Sequence, residues 1–410
     1  MLDRMVDHRP ALRVGGSALA EDLRRSVRDI RDPLAREFEL ERCAREIRAL
    51  WLRGVAAETS RVLRSPTERE ASRIAVRHDT FGYERDLQPE ELEARCDRFF
   101  PPPPAPWQSQ HVLFSSGQAA LLGVLLALRP SQPLRVRHLG GYFETRRLIE
   151  TCPALCASVD AAADVVIAEP VASDGGFDVH RRDEIIRATV GARALVVDTT
   201  LLGRDDGLDR LLAGLERDML VLRCASGLKL LQAGLELASV GIVGVHSRSG
   251  RTLSNFAGAL REMRTLCGTG LRFVDALALE APFVFDPTYA DRYAGAIFAH
   301  NAALAEAAAS GNRLFVLPFA ASPSPYCVFS LREGDDQAYE RLADLIAAEA
   351  TARKLAFERG GSFGFRGHRY EIVRPEDKPP FLRIAMGRRG GWTFEGVKTL
   401  MADIAARPAI

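Results

Sequence analysis

A group of small polar residues stands between an apolar run and an apolar helical stretch of the chain. Ser115, Ser116, Gly117 and Gln118 follow the run that ends at Phe114. The first backbone amides of a helix have no partner within the helix, and the helix dipole makes this end positive. Such an end can bind a phosphate or another anion. The same residues could equally form an ordinary helix N-cap.

Two further residues that could take part in chemistry also follow apolar runs. Asp198 comes directly after Val-Val and precedes Thr199 and Thr200, and Lys229 lies three residues after Ser226. A carboxylate in this position can pair with the protonated nitrogen of a heterocyclic ring. A lysine in an apolar layer is costly to bury unless its amine is used, for example in a Schiff base. Each residue also has a plainer explanation, since Asp198 could cap a helix and Lys229 could extend to the surface.

An aromatic residue, Tyr142, follows another apolar run, and its ring could stack on a planar ligand. A core or surface tyrosine is the plainer explanation of this residue. Taken together, the four features come in a fixed order along the chain, at 115–118, 142, 198 and 226–229, and each stands after its own run. Their order and spacing suggest one site rather than four unrelated features.

The apolar runs predict the strands of a mainly parallel sheet with helices on both faces. They lie at 111–114, 134–137, 164–168, 194–197, 219–222 and 239–245. Ligands of such sheets bind at the carboxyl ends of the strands, where the four features stand.

The rest of the chain frames this sheet. We expect an N-terminal helical arm over 1–75, a large domain over 76–270 and a smaller α+β domain over 271–410. Strands at 327–331 and 381–385 are predicted for the last of these.

The N-terminal segment is rich in Arg, Glu, Ala and Leu. Phe38, Cys43, Ile47, Leu50 and Trp51 recur at helical spacing, which predicts an apolar face that packs on the rest of the protein. An arginine-rich arm that binds nucleic acid is the alternative, but Glu residues interleave with the Arg residues.

The overall composition favours a protein without nucleic-acid or membrane partners. The chain has 55 basic and 54 acidic residues, a formal net charge of +1. Its seven cysteines form no CxxC pair, and its eight histidines form no H-E-x-x-H pattern, so no metal site is expected. The charged N-terminus has no apolar region typical of a signal peptide, and no apolar run approaches the roughly 20 residues that span a bilayer. We therefore expect a cytoplasmic protein. A nicotinamide enzyme is disfavoured because no G-x-G-x-x-G follows a strand.

The order of the four features resembles that of the fold-type I pyridoxal-phosphate (PLP) enzymes. The closest resemblance is to their cysteine and methionine metabolism branch, which contains the cystathionine synthases and lyases. Residues 114–120 are similar to the family's Phe-Ser-Ser-Gly-Met-Ala-Ala, and Asp198-Thr199-Thr200 to its Asp-Asn-Thr. Residues 81–85 resemble its Tyr-x-Arg segment, 142–148 its Tyr-Gly-Gly-Thr-x-x-Leu, and 381–387 its Leu-Arg-Leu-Ser-Val-Gly. The motifs are spread over roughly residues 80 to 390.

The resemblance implies an aminotransferase-like fold type I with PLP as cofactor. The fold comprises a mainly parallel, seven-stranded α/β sheet with helices on both faces and a smaller α+β C-terminal domain. Lys229, Tyr142 and Asp198 would be catalytic. The residues implied to bind the cofactor are Ser115, Ser116, Gly117, Gln118, Tyr142, Ser173, Asp198, Thr200, Ser226, Lys229, Tyr83 and Arg85. Arg383 and Ser362 would bind the substrate carboxylate, Arg383 through its planar guanidinium.

The implied activity is an elimination or replacement at the β or γ carbon of an amino acid. A homodimer or homotetramer is implied too, because the family's Tyr and Arg reach the neighbouring subunit's phosphate. An aminotransferase and a binding protein on a degenerate PLP fold are the alternatives. Leu228 replaces the family's threonine before the lysine, and Glu169-Pro170 leads into a segment that lacks its Asn-Pro, where Ser173 or Asp174 would substitute. These departures suggest a divergent enzyme, for example of specialised metabolism.

Overall fold

Two units make up the computed structural model, which describes residues 13–75, 81–128, 132–160, 162–170, 181–204, 207–215, 218–316, 324–375 and 379–410. The seven-stranded unit comprises the described residues of 51–232 and 236–287. The five-stranded unit comprises those of 1–50, 233–235 and 288–410. These limits differ from the three domains expected from the sequence, which remain a proposal.

The helices are numbered in chain order. They are α1 (Arg13–Arg28), α2 (Pro33–Thr59), α3 (Glu68–Ala75), α4 (Glu90–Phe99), α5 (Gly117–Leu128), α6 (Phe143–Thr151), α7 (Arg181–Ala188), α8 (Leu208–Ala213), α9 (Gly250–Cys267), α10 (Phe273–Leu279), α11 (Pro287–Ala309), α12 (Asp336–Ala352) and α13 (Trp392–Ala405), with a short 3₁₀ helix at Glu84–Asp86. None of the helices in the described ranges is long and apolar enough to cross a membrane.

The first unit is built on a mixed sheet. Its strands are β1 (Gln108–Phe114), β2 (Leu134–Leu139), β3 (Cys156–Ser158), β4 (Val165–Ala168), β5 (Ala194–Asp198), β6 (Leu220–Ser226) and β7 (Gly241–Ser247). Their order is β1-β7-β6-β5-β4-β2-β3; β7 is antiparallel to both neighbours, and the strands from β6 to β3 are parallel. The predicted seven-stranded, mainly parallel sheet is confirmed.

Apolar residues cover both faces of this sheet, as continuous apolar strands require. On one face, α5 and α9 pack with residues such as Phe114, Leu222 and Val243. On the other, α7 and α8 pack with residues such as Leu195 and Val221. Helix α5 consists almost entirely of apolar residues and glycine and buries most of its surface, which suits a helix at the centre of a layered fold.

The second unit is the smaller α+β part that the sequence predicts. Its strands are β8 (Phe315–Val316), β9 (Cys327–Leu331), β10 (Phe357–Arg359), β11 (His368–Val373) and β12 (Phe381–Ala385). They form a sheet in the order β10-β11-β12-β9-β8. Side chains of α11, α12 and α13 share one apolar core with this sheet.

Within the five-stranded unit, α2 is held by buried carboxylates as well as by apolar residues. Glu41 pairs with Arg366 at 2.9 Å, and Glu37 accepts a hydrogen bond of 2.9 Å from the backbone amide of Thr393 at the start of α13. Phe38, which the sequence placed on the packed face, is exposed. The neighbouring glutamates are buried instead, because each accepts hydrogen bonds that compensate its desolvation, Glu37 from the Thr393 amide and Glu41 from the half-buried Arg366.

Candidate active site

A pocket lies at the carboxyl ends of β5 and β6, within the seven-stranded unit. It is lined by Gly117, Gln118, Leu121, Thr145, Ile167, Val196, Asp198, Thr200, Cys224 and Ala225. Four of these residues, Gly117, Gln118, Asp198 and Thr200, were predicted from the sequence as cofactor-binding residues. The carboxyl ends of parallel strands are the usual ligand site of such sheets.

The start of α5 forms one wall of the pocket. Ser116 Oγ accepts a hydrogen bond of 3.1 Å from the amide of Ala119, so Ser116 is the helix N-cap. The amides of Gly117 and Gln118, the first two residues of the helix, have no acceptor within the helix. The N-cap and the anion-binding interpretations are therefore compatible. Ser115 donates its amide to Thr269 O at 2.8 Å, which fixes the end of β1.

The segment that carries Lys229 lies against this helix start. A Cβ atom on Gly117 would stand 3.3 Å from Ser226 Cβ, so the two segments are in contact. Ser226 donates its amide to Thr200 Oγ1 at 3.0 Å. Lys229 follows three residues later, half-buried in the turn after β6. The hydroxyl of Thr200 thus aligns the end of β6, from which the lysine turn begins.

A buried glutamine, Gln232, holds the turn in shape. Its side-chain amide donates to Gly227 O at 3.2 Å and Ala238 O at 2.7 Å, and its oxygen accepts from the amide of Leu237 at 2.8 Å. Gln232 was not predicted from the sequence as a site residue. Its side-chain hydrogen bonds hold both ends of the turn that follows Lys229. The sequence signal that could have found it is a single polar side chain, that of Gln232, among the apolar residues that follow Lys229.

Asp198 is the carboxylate of the pocket. Burial raises its pKa from 3.8 to about 6; the hydrogen bond of 2.9 Å from the Thr200 amide acts in the opposite direction, and the negative charge of Glu169 adds to the rise. Asp198 takes part in no ion pair with the described residues. A half-buried, desolvated carboxylate with no cation beside it among the described residues favours binding of a positively charged group there.

Tyr142 stands at the start of α6, and a second buried carboxylate orders its backbone. Glu169 accepts hydrogen bonds from the amides of Gly141 at 3.1 Å and Tyr142 at 3.0 Å, and it contacts His138 Nε2 at 2.9 Å. A Cβ atom on Gly140 would stand 2.4 Å from the Glu169 carboxyl carbon, so a larger residue there would displace this carboxylate from the two amides. The site role of Glu169 was missed, although it follows an apolar run as Asp198 does.

The Tyr142 hydroxyl is itself engaged. It donates a hydrogen bond of 2.6 Å to Glu144, and burial together with that carboxylate raises the pKa of Tyr142. The phenol is therefore protonated at neutral pH.

Four further predicted residues, Tyr83, Arg85, Arg383 and Ser362, are not among those that line the pocket. Tyr83 and Arg85 are exposed in the seven-stranded unit, with Arg85 Cζ at 5.5 Å from the Tyr83 ring centre. Ser173 lies outside the described residues. Arg383 and Ser362 belong to the five-stranded unit. There, Arg383 in β12 is the cross-strand partner of Glu371 in β11 and forms an ion pair with it.

The fold is shared with several solved structures at low sequence identity. A cystathionine gamma-synthase from Xanthomonas oryzae pv. oryzae, solved in complex with cystathionine, matches with a TM-score of 0.58 and 17% identity, over 79% of this chain and 89% of that one. A methionine gamma-lyase from Micromonospora echinospora matches with 0.57 and 20%, over 78% and 87%. Cystathionine gamma-lyase from yeast matches with 0.56 and 16%, over 80% and 88%.

No family model and no curated protein matches the chain. The likeness therefore rests on the fold, and it agrees with the resemblance seen in the sequence motifs. The chain has the fold of the cystathionine gamma-synthase and methionine gamma-lyase structures.

Proposed function

We propose that this protein is a PLP-dependent enzyme that acts on an amino acid by elimination or replacement at the β or γ carbon. The observation that carries the proposal is the pocket in which the Asp198 carboxylate, the start of α5 and the end of β6 come together. The similar structures support the reaction class, because they include a gamma-synthase and gamma-lyases, one solved with cystathionine.

The donor set suits the phosphate of PLP. The amides of Gly117 and Gln118 and the hydroxyls of Ser115 and Ser226 are the groups that would bind it, at the positive end of α5. Ser226 already touches Gly117. Leu228 offers no hydroxyl, so this chain would depend more on the backbone amides for phosphate affinity.

The Asp198 carboxylate suits the ring of the cofactor. A pyridine nitrogen carrying a proton beside Asp198 would stabilise the ionised carboxylate and so lower its raised pKa. Tyr142 would stack on the ring, and Thr200 would keep both Asp198 and Ser226 aligned. Bound PLP supplies an electron sink for the carbanion formed at the substrate α-carbon.

Lys229 would hold the cofactor covalently through Nζ. After the amino acid has taken its place, the same Nζ would remove the proton from the substrate α-carbon. Arg383 and Ser362 are proposed to bind the carboxyl end of the substrate. Tyr142, as a protonated phenol, would relay a proton to the leaving group.

Tyr83 and Arg85 are proposed to serve a neighbouring subunit in a cytoplasmic homodimer or homotetramer. Both side chains are exposed, and their cation–π contact keeps them together at the surface. An exposed arginine beside an exposed tyrosine suits a phosphate presented by another molecule.

The test is reductive labelling with PLP. Lys229 is the first lysine in the sequence, and the next is Lys354, so peptide mapping separates them without ambiguity. We expect borohydride to fix PLP on the peptide that contains Lys229. We also expect an absorbance band that Lys229→Ala abolishes and that Lys354→Ala leaves unchanged. A wild-type protein that stays colourless and unlabelled after incubation with PLP would refute the proposal.

The reaction class needs a second measurement on the loaded wild type. Release of ammonia and a keto acid from a sulfur-containing amino acid would indicate elimination. Transfer of the amino group to an added keto acid, without loss of a side-chain group, would indicate an aminotransferase instead.

A further inference from the structure

The five-stranded unit contains a carboxylate at the arginine proposed to bind the substrate. Glu371 and Arg383 face each other across β11 and β12 and form an ion pair. Both keep part of their side chain accessible, 23% for Glu371 and 15% for Arg383. Arg383 Cζ also lies 5.2 Å from the centre of the Tyr326 ring. The guanidinium is thus held on one side by a carboxylate and on another by an aromatic ring.

The loop before β11 touches the same carboxylate. A Cβ atom on Gly361 would stand 3.0 Å from Glu371 Oε2, and Arg369 Nη1 donates to Gly361 O at 2.9 Å. Ser362, the next residue, adopts a left-handed backbone with φ of 73°. The loop therefore packs against Glu371. One carboxylate oxygen of Glu371 faces the loop, and the other pairs with Arg383.

We propose that Glu371 selects substrates whose carboxyl group is masked as a carboxamide over those with a free carboxylate. This inference rests on the proposed function, in which Arg383 binds the carboxyl end of the substrate. A free carboxylate would have to displace Glu371 or lie beside it, and like charges in a partly buried site repel strongly. A carboxamide is neutral and meets both partners, because its oxygen accepts from Arg383 and its N–H groups donate to Glu371.

The preference for a carboxamide depends on the charges of both Glu371 and Arg383. Arg383 alone would favour a free carboxylate through two parallel hydrogen bonds. The Arg383–Glu371 pair has no net charge, so a ligand carboxylate that approaches Arg383 gains no net ion pair from it. Replacing Glu371 with Gln keeps the shape, restores the free positive charge of Arg383 and should reverse the selectivity.

The experiment compares L-methionine with L-methioninamide by calorimetry on the wild type, Glu371→Gln and Glu358→Gln, with and without PLP. Glu358 is an exposed carboxylate on the adjacent strand β10, so its variant carries the same change of charge away from the pair. We expect the wild type and Glu358→Gln to bind the amide about tenfold more tightly than the acid, and Glu371→Gln to prefer the acid.

A second variant covers the case in which Glu371→Gln unfolds because Arg383 loses its partner. Glu371→Gln/Arg383→Gln removes both charges and should bind acid and amide with similar affinity. The inference would be overturned if the wild type preferred the free acid, if Glu371→Gln left the preference unchanged, or if neither ligand bound. Absence of PLP labelling with the expected amide preference intact would instead overturn the proposed function alone.

Discussion

Among single residues, Asp198 has the most consequential protonation state. Its folded-state pKa of about 6 lies above the ordinary 3.8 because the surrounding protein desolvates the carboxylate. The cofactor-free protein therefore favours the protonated acid at moderately low pH, whereas a cation in the pocket requires the ionised form. The same burial that disfavours the ionised carboxylate increases its affinity for a positive ligand.

Asp198 should accordingly give cofactor-free protein a stability that falls as pH rises. A raised folded-state pKa means that the stabilising contribution is complete below about pH 4 and is lost by the time pH exceeds about 6. The change corresponds to about 3 kcal/mol in the free energy of unfolding. Urea denaturation of the wild type and Asp198→Asn at several pH values measures it, since the variant cannot titrate at this position. A constant difference between the two proteins across this range would contradict the assignment.

The residues that sequence reasoning found and missed differ in a physical respect. Asp198 and the residues at the start of α5 stand directly after apolar runs, and their position in the fold follows from local sequence. Glu169, Gln232 and Glu371 act through partners that only the folded chain provides, such as a backbone turn or a cross-strand arginine. Local patterns contain no information about such partners.

At the scale of elements, one buried carboxylate joins α4, β1 and α9. Glu93 on α4 contacts Arg264 at 2.7 Å and Arg261 at 2.8 Å, both on α9, and accepts from the amide of Leu113 in β1 at 3.1 Å. Arg264 O in turn accepts from the amide of Thr269, whose own carbonyl accepts from Ser115. This chain of contacts supports the end of β1 and hence the proposed phosphate site.

Removing the charge of Glu93 should therefore be costly. Glu93→Gln leaves Arg264, which is almost fully buried, without its charged partner, and we expect a loss of about 3 to 5 kcal/mol in the free energy of unfolding. Glu91→Gln on the same helix removes an exposed carboxylate at 3.8 Å from Arg98 and should cost at most about 1 kcal/mol. Denaturation curves of the two variants measure the contrast. Equal losses would show that the network contributes little.

The elements themselves were predictable where their composition was distinctive. Six apolar runs correspond to six strands of the large sheet, because strands buried on both faces need continuous apolar residues. Strand β3, with the sequence Cys-Ala-Ser, was missed because an edge strand of this length contains too few apolar residues to form a pattern. In α2, the apolar residues were recognised, but the buried glutamates that fix its orientation were not.

At the scale of the whole molecule, the proposed function requires association between chains. Arg85→Glu should weaken self-association and reduce affinity for PLP together, because the proposed partner of Arg85 is a phosphate in the neighbouring subunit. Arg332→Glu, at an exposed arginine of the five-stranded unit, is the matched control. Sedimentation equilibrium and PLP titration provide the two readouts. A monomeric wild type, or a variant that loses neither property, would remove this part of the proposal.

The contacts of α2 also bear on how the protein is made. Glu37 and Glu41 find their partners 356 and 325 residues later in the sequence. At a synthesis rate of about 5 to 20 residues per second, the ribosome needs roughly 20 to 70 seconds to deliver those partners. During that interval the two carboxylates of α2 stay hydrated, and their charge opposes self-association of the nascent helix. The seven-stranded unit, most of whose residues emerge in between, can fold first, and the start of α2 then completes the five-stranded unit as its final strand and helix leave the ribosome.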